Sequence, residues 1–272
     1  MCFVVKVVMN KHIKLSGCVR RLTDTDLAHR WLHLAMNIGK YMIKSGAEIS
    51  RVEDTMYRIC RSFGVEEVDV FVITSSIVAT IYSKEIGYVT QTKRVGPMRY
   101  NLDRLDHLNQ LSRSICSGME LEEAEARYEQ VMERPIYGFK TYVALYAISA
   151  AAFSVLFGGT VRDAIAAGLI GIVLKFLDEL TGRLEMNGFL SGFLKSLTGG
   201  LLATLAVHCG LGQNFSKISI GDIMLLIPGL ALTNSIRDMF SGDTISGMNR
   251  FIEAIILSIM IASGFALVSL WV

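Results

Sequence analysis

The amino-acid sequence divides near residue 138 into a charged part and an apolar part. Residues 1–138 contain 36 charged side chains, whereas residues 139–272 contain 16 in nearly the same length. Glycine is distributed the other way, with 8 residues in the first part and 16 in the second. Soluble domains carry about a quarter charged residues, so the second part is too apolar to belong to one water-soluble globule. We therefore expect a soluble domain followed by a membrane domain.

The net charge of +2 and the five cysteines exclude several kinds of partner and site. The sequence has no stripe of Lys and Arg with interleaved aromatic residues, so we expect no nucleic-acid partner. The cysteines are odd in number, widely spaced and without a CxxC pair, which is typical of a reducing compartment and argues against disulfides and a zinc site. No cofactor is expected. Residues 1–22 are interpreted as an N-terminal extension, because their short apolar start is interrupted by Lys6, unlike a secretory signal.

Residues 23–135 predict a compact cytoplasmic α+β domain with the order α-α-β-β-β-α-α. Apolar residues at helical spacing and runs of β-branched and aromatic residues support this order. The segments are helices from Thr23/Asp24 to Ser45 and from Ile49 to Gly64, strands within 68–82 and 86–92, and helices at about 102–116 and 119–133. Ser117 and Glu120 have capping-box spacing and predict the start of the last helix. About 110 residues are enough to bury a core.

This domain carries little sequence evidence of an active site. Four charged residues at the start of the second helix favour a solvated face over a site, because acids are stabilised at a helix N-terminus. They are Glu48, Arg51, Glu53 and Asp54. His29 and His33 lie four residues apart, but no third ligand is spaced to complete a metal site with them. The sequence has no G-x-S-x-G elbow, P-loop or HExxH motif, so no enzyme is predicted.

Residues 136–272 predict an α-helical integral membrane domain. Residues 141–157 are uncharged and, extended to Phe139 and Gly158, are long enough to cross a bilayer. Four more apolar stretches follow, each with an ionisable residue in or near it. We predict five spans, at about 139–158, 161–177, 188–210, 219–237 and 251–271.

Basic residues near the ends of the spans predict the orientation. Six of them lie on the side of the first domain, whereas only Arg162 and Lys217 lie on the other side. The six are Arg134, Lys140, Lys175, Arg183, Arg237 and Arg250. The N-terminus is therefore expected in the cytoplasm, and an odd number of spans places Val272 outside.

Small residues at four-residue spacing predict close packing between the spans. The third span begins with Gly188 and Gly192, a GxxxG pair, and Ala164 with Gly168 repeats the spacing in the second span. Simple helix packing explains each of these pairs without any further function.

Polar residues within the third and fourth spans are more informative. An ionisable side chain at the bilayer centre costs at least ~2.5–3.5 kcal/mol, so it is expected to face the bundle interior or a wet cavity. Lys195 begins a polar stripe in the third span, with small or polar residues at four-residue steps. The stripe continues through Ser196, Gly200, Thr204 and His208.

In the fourth span, Asp222 precedes Pro228 and Gly229, which interrupt the helix at mid-depth. Hydroxyl, amide and charged groups follow within two turns, at Thr233, Asn234, Arg237 and Asp238. Broken helices of this kind form the substrate sites of many secondary transporters. A proline kink with charges at the cytoplasmic boundary is the alternative, and both interpretations stay open here.

If the domain transports a solute, the chemistry of these residues suggests their roles. A cation such as Arg237 or Lys195 would pair with a carboxylate of the substrate. The predicted substrate-binding set is Lys195, Thr233, Asn234, Arg237 and Asp238. Asp222 or His208 would carry a coupling proton, and Pro228 with Gly229 would supply the helix break.

Two segments resemble the threonine/serine exporter (ThrE/YjjP-type) family. They are PGLALTNSIRDMFSGDTISGMNRFIEA at 228–254 and SGAEISRVEDTMYRICRSFGV at 45–65. The resemblance implies a multi-pass inner-membrane exporter of small metabolites, driven by the proton motive force. It extends to particular positions in the first segment, whose contact with substrate does not follow from it. These are Pro228, Gly229, Thr233, Arg237, Asp238, Gly242, Asp243 and Gly247.

Within that family the chain is similar to the large subunit of the split form, which has a soluble domain and five spans. The resemblance implies a smaller membrane subunit as partner, and a homo-oligomer is a second assembly to test. Split members are linked to dicarboxylates such as succinate, and fused members to threonine and serine. Both substrate classes carry a carboxylate.

Two other functions remain open from the sequence. A membrane-anchored sensor or hydrolase would keep its activity in residues 23–135 after removal of the spans. A channel would pass solute down its gradient without coupling. The polar content of the third and fourth spans argues against a simple tether, because a tether gains nothing from buried polar groups.

Overall fold

The computed structural model describes residues 24–135 and 137–270. Its contacts divide the chain into two compact units, with the boundary between Glu133 and Arg134. The predicted extension, residues 1–22, lies outside the described residues, and so does Val272.

From residue 24 onward, the first unit contains four helices and an antiparallel sheet in the order β1-β2-β3. Its elements are α1 (Thr25–Lys44), α2 (Ile49–Ser62), β1 (Glu67–Ile73), β2 (Ser76–Ser83), β3 (Gly87–Arg94), α3 (Leu102–Cys116) and α4 (Leu121–Glu133). The predicted order of elements is confirmed. Thr74 and Ser75 form the tight connection between β1 and β2, since Ile73 pairs directly with Ser76.

Local sequence signals explain most of these boundaries. The Asp24 carboxylate accepts a hydrogen bond from the Asp26 amide and caps α1. Gly46 follows α1 with a φ of 98°, a conformation that favours glycine. The predicted capping box at Ser117 is wrong, because α4 begins only at Leu121 and Ser117 is the C-cap of α3. Its hydroxyl donates to the Arg113 carbonyl at the end of α3. That bond satisfies a terminal carbonyl of the preceding helix.

The core of the first unit lies between the sheet and the helices. Alternate residues of β2 are buried, as expected for a strand with one covered face. Ile77, Ala79 and Ile81 pack in one cluster with the apolar faces of α1 and α2. Of the predicted charged face on α2, Arg51 and Asp54 are exposed.

The second unit is entirely helical within its described residues. Its helices are α5 (Phe139–Leu156), α6 (Val161–Arg183), α7 (Gly188–His208), α8 (Phe215–Leu226), α9 (Gly229–Phe240) and α10 (Thr244–Ser269). Three of these helices, α5, α7 and α10, are long and apolar enough to cross a membrane. If α8 and α9 count as one bent span, the number of candidate spans is four. We predicted five spans, whereas three, or up to four, of the described helical segments are long and apolar enough to cross a membrane. The difference lies at α6, which contains the predicted second span.

The composition of α6 explains this difference from the prediction. Its central residues 164–174 are uncharged, but six charged residues lie near its two ends. Every window of eighteen residues in α6 therefore contains at least three charged side chains. The expected span 161–177 ended just before most of the charges at the C-terminal end of the helix.

Small residues allow the helices of the second unit to approach closely. A Cβ atom on Gly171 would lie 2.8 Å from the Tyr146 carbonyl oxygen, so α5 and α6 pack backbone to backbone. A Cβ on Gly192 would lie 2.7 Å from Leu257, and one on Gly200 would lie 3.0 Å from Val268. Along this contact, the residue numbers on α7 (192 to 200) and on α10 (257 to 268) rise in the same direction. The two helices α7 and α10 therefore run parallel.

Candidate functional site

The predicted helix break at Pro228 is present and separates α8 from α9. The two helices are bent by 52° at this point. Ile227 is extended, with φ −60° and ψ 128°, and its carbonyl accepts from the Gly229 amide at 2.9 Å. Proline has no N–H to continue the helical ladder, and its ring clashes with the carbonyl four residues earlier. The break is therefore a local consequence of the sequence.

Asp222 lies on α8, six residues before the break, and is completely buried. Among the residues that the structure describes, neither of its carboxylate oxygens has a hydrogen-bond partner. Two further buried hydroxyls also have no partner among the described residues. They belong to Ser219, three residues before Asp222 on α8, and to Ser154 of α5, which packs against Gly221. Buried polar groups are nearly always hydrogen-bonded, so three such groups in one part of a bundle require an explanation.

Close contact between α5 and α8 brings this region together. A Cβ atom on Gly221 would lie 2.6 Å from the Ala150 carbonyl oxygen and 3.1 Å from the Ser154 Cβ. Toward the start of α8, the Lys217 ammonium donates to the Phe157 carbonyl at 2.7 Å. The two helices are therefore antiparallel, and Asp222 lies next to the glycine where they touch.

Asp238 of α9 forms an ion pair with Arg250 of α10. The Arg250 Nη1 lies 2.8 Å from the Asp238 Oδ2, and the side chains are 1% and 0% exposed. Sequence analysis assigned Asp238 to the substrate and Arg250 to the cytoplasmic boundary. The structure pairs the two charges with each other in the interior, which holds α9 against α10.

The other predicted residues of α9 lie on its outer face. Thr233 and Arg237 are exposed and Asn234 is half-buried. The Thr233 hydroxyl donates to the Gly229 carbonyl at 2.9 Å. Thr233 and Arg237 are four residues apart and so lie on one face of α9, and Asn234 lies beside that face. A hydroxyl, an amide and a guanidinium are the combination that the sequence predicted for a polar substrate.

Lys195 lies apart from that row, in an ion-pair cluster between α6 and α7. Its ammonium lies 2.8 Å from the Asp178 Oδ1, and the Lys175 ammonium lies 2.9 Å from the Asp178 Oδ2. Lys175 also faces the rings of Tyr142 and Tyr146, at 5.2 and 5.5 Å from their centroids. We call these five residues the Lys175–Lys195 cluster.

The polar stripe predicted on α7 is mostly a packing surface. The Ser196 hydroxyl donates to the Phe193 carbonyl and the Thr204 hydroxyl to the Gly200 carbonyl, at 2.8 and 3.1 Å. Gly200 packs against Val268 of α10. His208 is exposed at the last position of α7.

The predicted site residues therefore fall in separate places along the bundle. Lys195 belongs to the cluster with α6, Asp222 to the contact of α8 with α5, and Asp238 to the contact with α10. Sequence analysis missed Asp178 as the partner of Lys195, and it missed Ser154. Ser219 precedes Asp222 by three residues, a spacing that places both side chains on one side of a helix. This spacing could have predicted that Ser219 lies beside Asp222.

A polar groove of about 300 Å³ lies in the first unit. It is lined by Asp26, His29, Arg30, His33, Gln91 and Glu125. Behind it, the Lys93 ammonium contacts His33 at 3.4 Å and donates to Asn37. Burial, together with the charge of Lys40, lowers the pKa of Lys93 to about 8. Across residues 24–135 and 137–270, no group of three metal-ligating side chains is present.

Comparison with known proteins places the chain among transporters. It is 26% identical over 254 residues to a threonine/serine exporter of Corynebacterium glutamicum, covering 90% of this chain and 52% of the relative. The chain thus spans about half the length of that relative. It is also 23% and 22% identical to proteins named "Probable succinate transporter subunit YjjP" from Escherichia coli and Klebsiella aerogenes. These matches cover 97% and 93% of the relatives, and 91% and 88% of this chain.

No solved structure matches this chain. The family model of the threonine/serine exporters, ThrE, matches residues 33–271 and so includes both units. The match contains the α8–α9 break, the buried Asp222 and the Asp238–Arg250 pair. This chain therefore belongs to the threonine/serine exporter family.

Proposed function

We propose that this chain is one subunit of a proton-driven exporter of small carboxylate metabolites in the inner membrane. Its family is a transporter family, and its relatives are named for threonine/serine export and for succinate transport. The substrate is either a threonine/serine-type amino acid or a C4-dicarboxylate. Both types present a carboxylate to the protein.

Asp222 is the observation that carries this proposal. An ionised carboxylate without a partner in a protein interior costs several kcal/mol, so the protonated acid is the form that fits the observed site. The ionised form requires water or a cation, which reach Asp222 only if α8 moves relative to α5. A carboxyl that exchanges its proton as helices move is the element that a proton-coupled carrier needs. The adjacent break at Pro228 provides a hinge for that movement.

The directions of the helices support five crossings of the bilayer. α5 and α6 are antiparallel, α7 returns beside α6 through the contact of Lys195 with Asp178, and α8 runs antiparallel to α5. α10 is parallel to α7, as an alternating path requires. Many large apolar side chains on the outside of this unit are exposed, among them Ile148, Leu169 and Ile259. Lipid would cover such a surface. With the N-terminus in the cytoplasm, the C-terminal end of α10 lies outside.

A second polypeptide completes the proposed transporter. This chain covers nearly all of the relatives named as transporter subunits, but only 52% of the Corynebacterium exporter. The word "subunit" in the names of those relatives supports a partner polypeptide for this chain. A smaller membrane subunit is the partner that we propose.

Flux into proteoliposomes tests the proposal. The chain is reconstituted alone and with a candidate small membrane subunit, and uptake of labelled serine and labelled succinate is followed under an imposed pH gradient. We expect gradient-dependent flux of one solute only when both subunits are present. Folded protein that moves neither solute under either condition would refute the exporter.

Two variants test the assigned residues in the same assay. Asp222→Asn is expected to abolish uphill, gradient-driven flux while solute exchange at equal pH continues, because the amide does not take up a proton. Glu253→Gln is the matched control, since Glu253 is an exposed acid on α10. Arg237→Gln is expected to abolish export at normal membrane levels. Full gradient-driven accumulation by Asp222→Asn would exclude Asp222 as the proton carrier.

A further inference from the structure

We infer that the Lys175–Lys195 cluster, between α6 and α7, is a binding subsite for one carboxylate group of the transported solute. This inference rests on the proposed export function and adds the place where the substrate carboxylate binds. It assigns Lys175, Tyr142 and Tyr146 to the site in addition to Lys195.

The charge of the cluster is the first argument. Two ammonium groups share one carboxylate, with one contact to each Asp178 oxygen at 2.9 and 2.8 Å. The next acid on the helix, Glu179, faces Arg183 at 3.3 Å and so is compensated separately. The two tyrosine rings have electron-rich faces but no formal charge. The cluster therefore has one positive charge in excess.

The surroundings make that excess charge costly. The side chains of Lys175 and Lys195 are 11% and 15% exposed, and they lie in an apolar helical unit. A charge removed from water costs free energy unless an opposite charge compensates it. A single carboxylate brings one negative charge and restores neutrality. A neutral solute of the same shape would not compensate the excess positive charge.

The hydrogen-bonding capacity of the cluster is the second argument. An ammonium group has three donors, and each lysine uses one of them on Asp178. The remaining donors of two lysines allow a second carboxylate to bridge the ammonium groups as Asp178 does. Asp178 is one-third exposed, so the cluster is open on one side and a solute has a route to it.

Opposite effects of two kinds of substitution distinguish a binding site from a structural ion bridge. Lys175→Gln and Lys195→Gln each remove a donor charge, so KM for the transported solute is expected to rise about tenfold, equivalent to about 1.4 kcal/mol. Asp178→Asn removes the internal competitor of the substrate, so KM is expected to fall at least threefold. Lys217→Gln is the matched control, because it removes a lysine of the same unit outside the cluster.

Binding is measured separately from flux. The purified chain, alone and with the small subunit, is heated in detergent with succinate, serine or acetate, or with acetamide as the uncharged isostere of acetate. We expect the carboxylates to raise the unfolding midpoint of the wild-type chain and of Lys217→Gln, but not of Lys195→Gln. Acetamide is expected to have no effect.

The outcomes separate the subsite from the export function. Carboxylate binding that depends on the lysines but occurs without flux would support the subsite and refute the exporter. Flux whose KM is the same in Lys175→Gln, Lys195→Gln and Lys217→Gln would leave the exporter standing and refute the subsite. An Asp178→Asn variant whose KM rises as in the lysine variants would also refute it, because the cluster would then act only as a structural bridge.

Discussion

Breaking the buried pair of Asp238 and Arg250 is expected to destabilise the second unit strongly. The two side chains are 0% and 1% exposed and 2.8 Å apart. Asp238→Asn removes one partner of a buried ion pair, and breaking a buried pair in this way costs roughly 3–5 kcal/mol. Each kcal/mol shifts the melting midpoint of a unit of this size by about 2–4 °C. We therefore expect the midpoint to fall by about 6–20 °C.

Thermal unfolding of the detergent-solubilised chain, at one fixed scan rate, measures this effect. A fixed rate is needed because large proteins often unfold irreversibly. Arg183→Met is the control, because Arg183 forms an exposed pair with Glu179 and is 76% exposed. Surface pairs of this kind contribute about 0–1 kcal/mol, so the control midpoint is expected to fall by less than 4 °C.

A double variant separates the removal of both charges from the removal of only one of them. Asp238→Leu combined with Arg250→Met removes both charges, and such replacements are often neutral or stabilising. We expect the double variant to melt within a few degrees of the wild-type chain. The reasoning fails if Asp238→Asn melts like the Arg183→Met control, or if the double variant is less stable than Asp238→Asn.

Three further predictions test packing, orientation and pH dependence. Gly264→Ala is expected to lower the thermal unfolding midpoint, because its Cβ would lie 2.8 Å from the Phe193 carbonyl oxygen. Gly188→Ala is the control, because its Cβ meets no atom within 4 Å. Equal midpoints for the two variants would contradict this packing. An impermeant maleimide on intact cells is expected to label the exposed Cys209 if it lies outside, and labelling only after cell lysis would reverse the proposed orientation. The pKa of Lys93 is lowered to about 8 from its usual 10.5, so the unfolded chain binds this proton more tightly than the folded chain does. The free energy of unfolding, compared with that of Lys93→Met, is therefore expected to rise from pH 8 to 10.5. A constant difference across this range would contradict the lowered pKa.

Features that depend on a few neighbouring residues were predictable from the sequence. The cap at Asp24 and the stop at Gly46 depend only on side-chain and backbone preferences of adjacent residues. The break at Pro228 is of the same kind, because a missing N–H acts on its own helix. The capping box at Ser117 failed because the same hydroxyl can serve either of two adjacent helix ends, and spacing alone does not decide between them.

The partners of the charged residues were not predictable in this way. Lys195 pairs with Asp178, seventeen residues earlier, and Asp238 pairs with Arg250, twelve residues later. Sequence analysis placed Lys195, Asp238 and Arg237 in one site, since all three are polar residues of apolar segments. Which of them meet depends on the faces that the helices turn toward each other.

The sequence by itself determined the division into a charged and an apolar part, the order of the elements in the first unit, and the broken helix. Burial of apolar surface and local backbone chemistry are sufficient for these features. Only the tertiary structure decided that Asp222 has no partner within the described residues, that Asp238 pairs with Arg250, and that the Lys175–Lys195 cluster keeps one excess positive charge. Charge compensation depends on distances of about 3 Å between different helices, and close packing of small residues decides those distances.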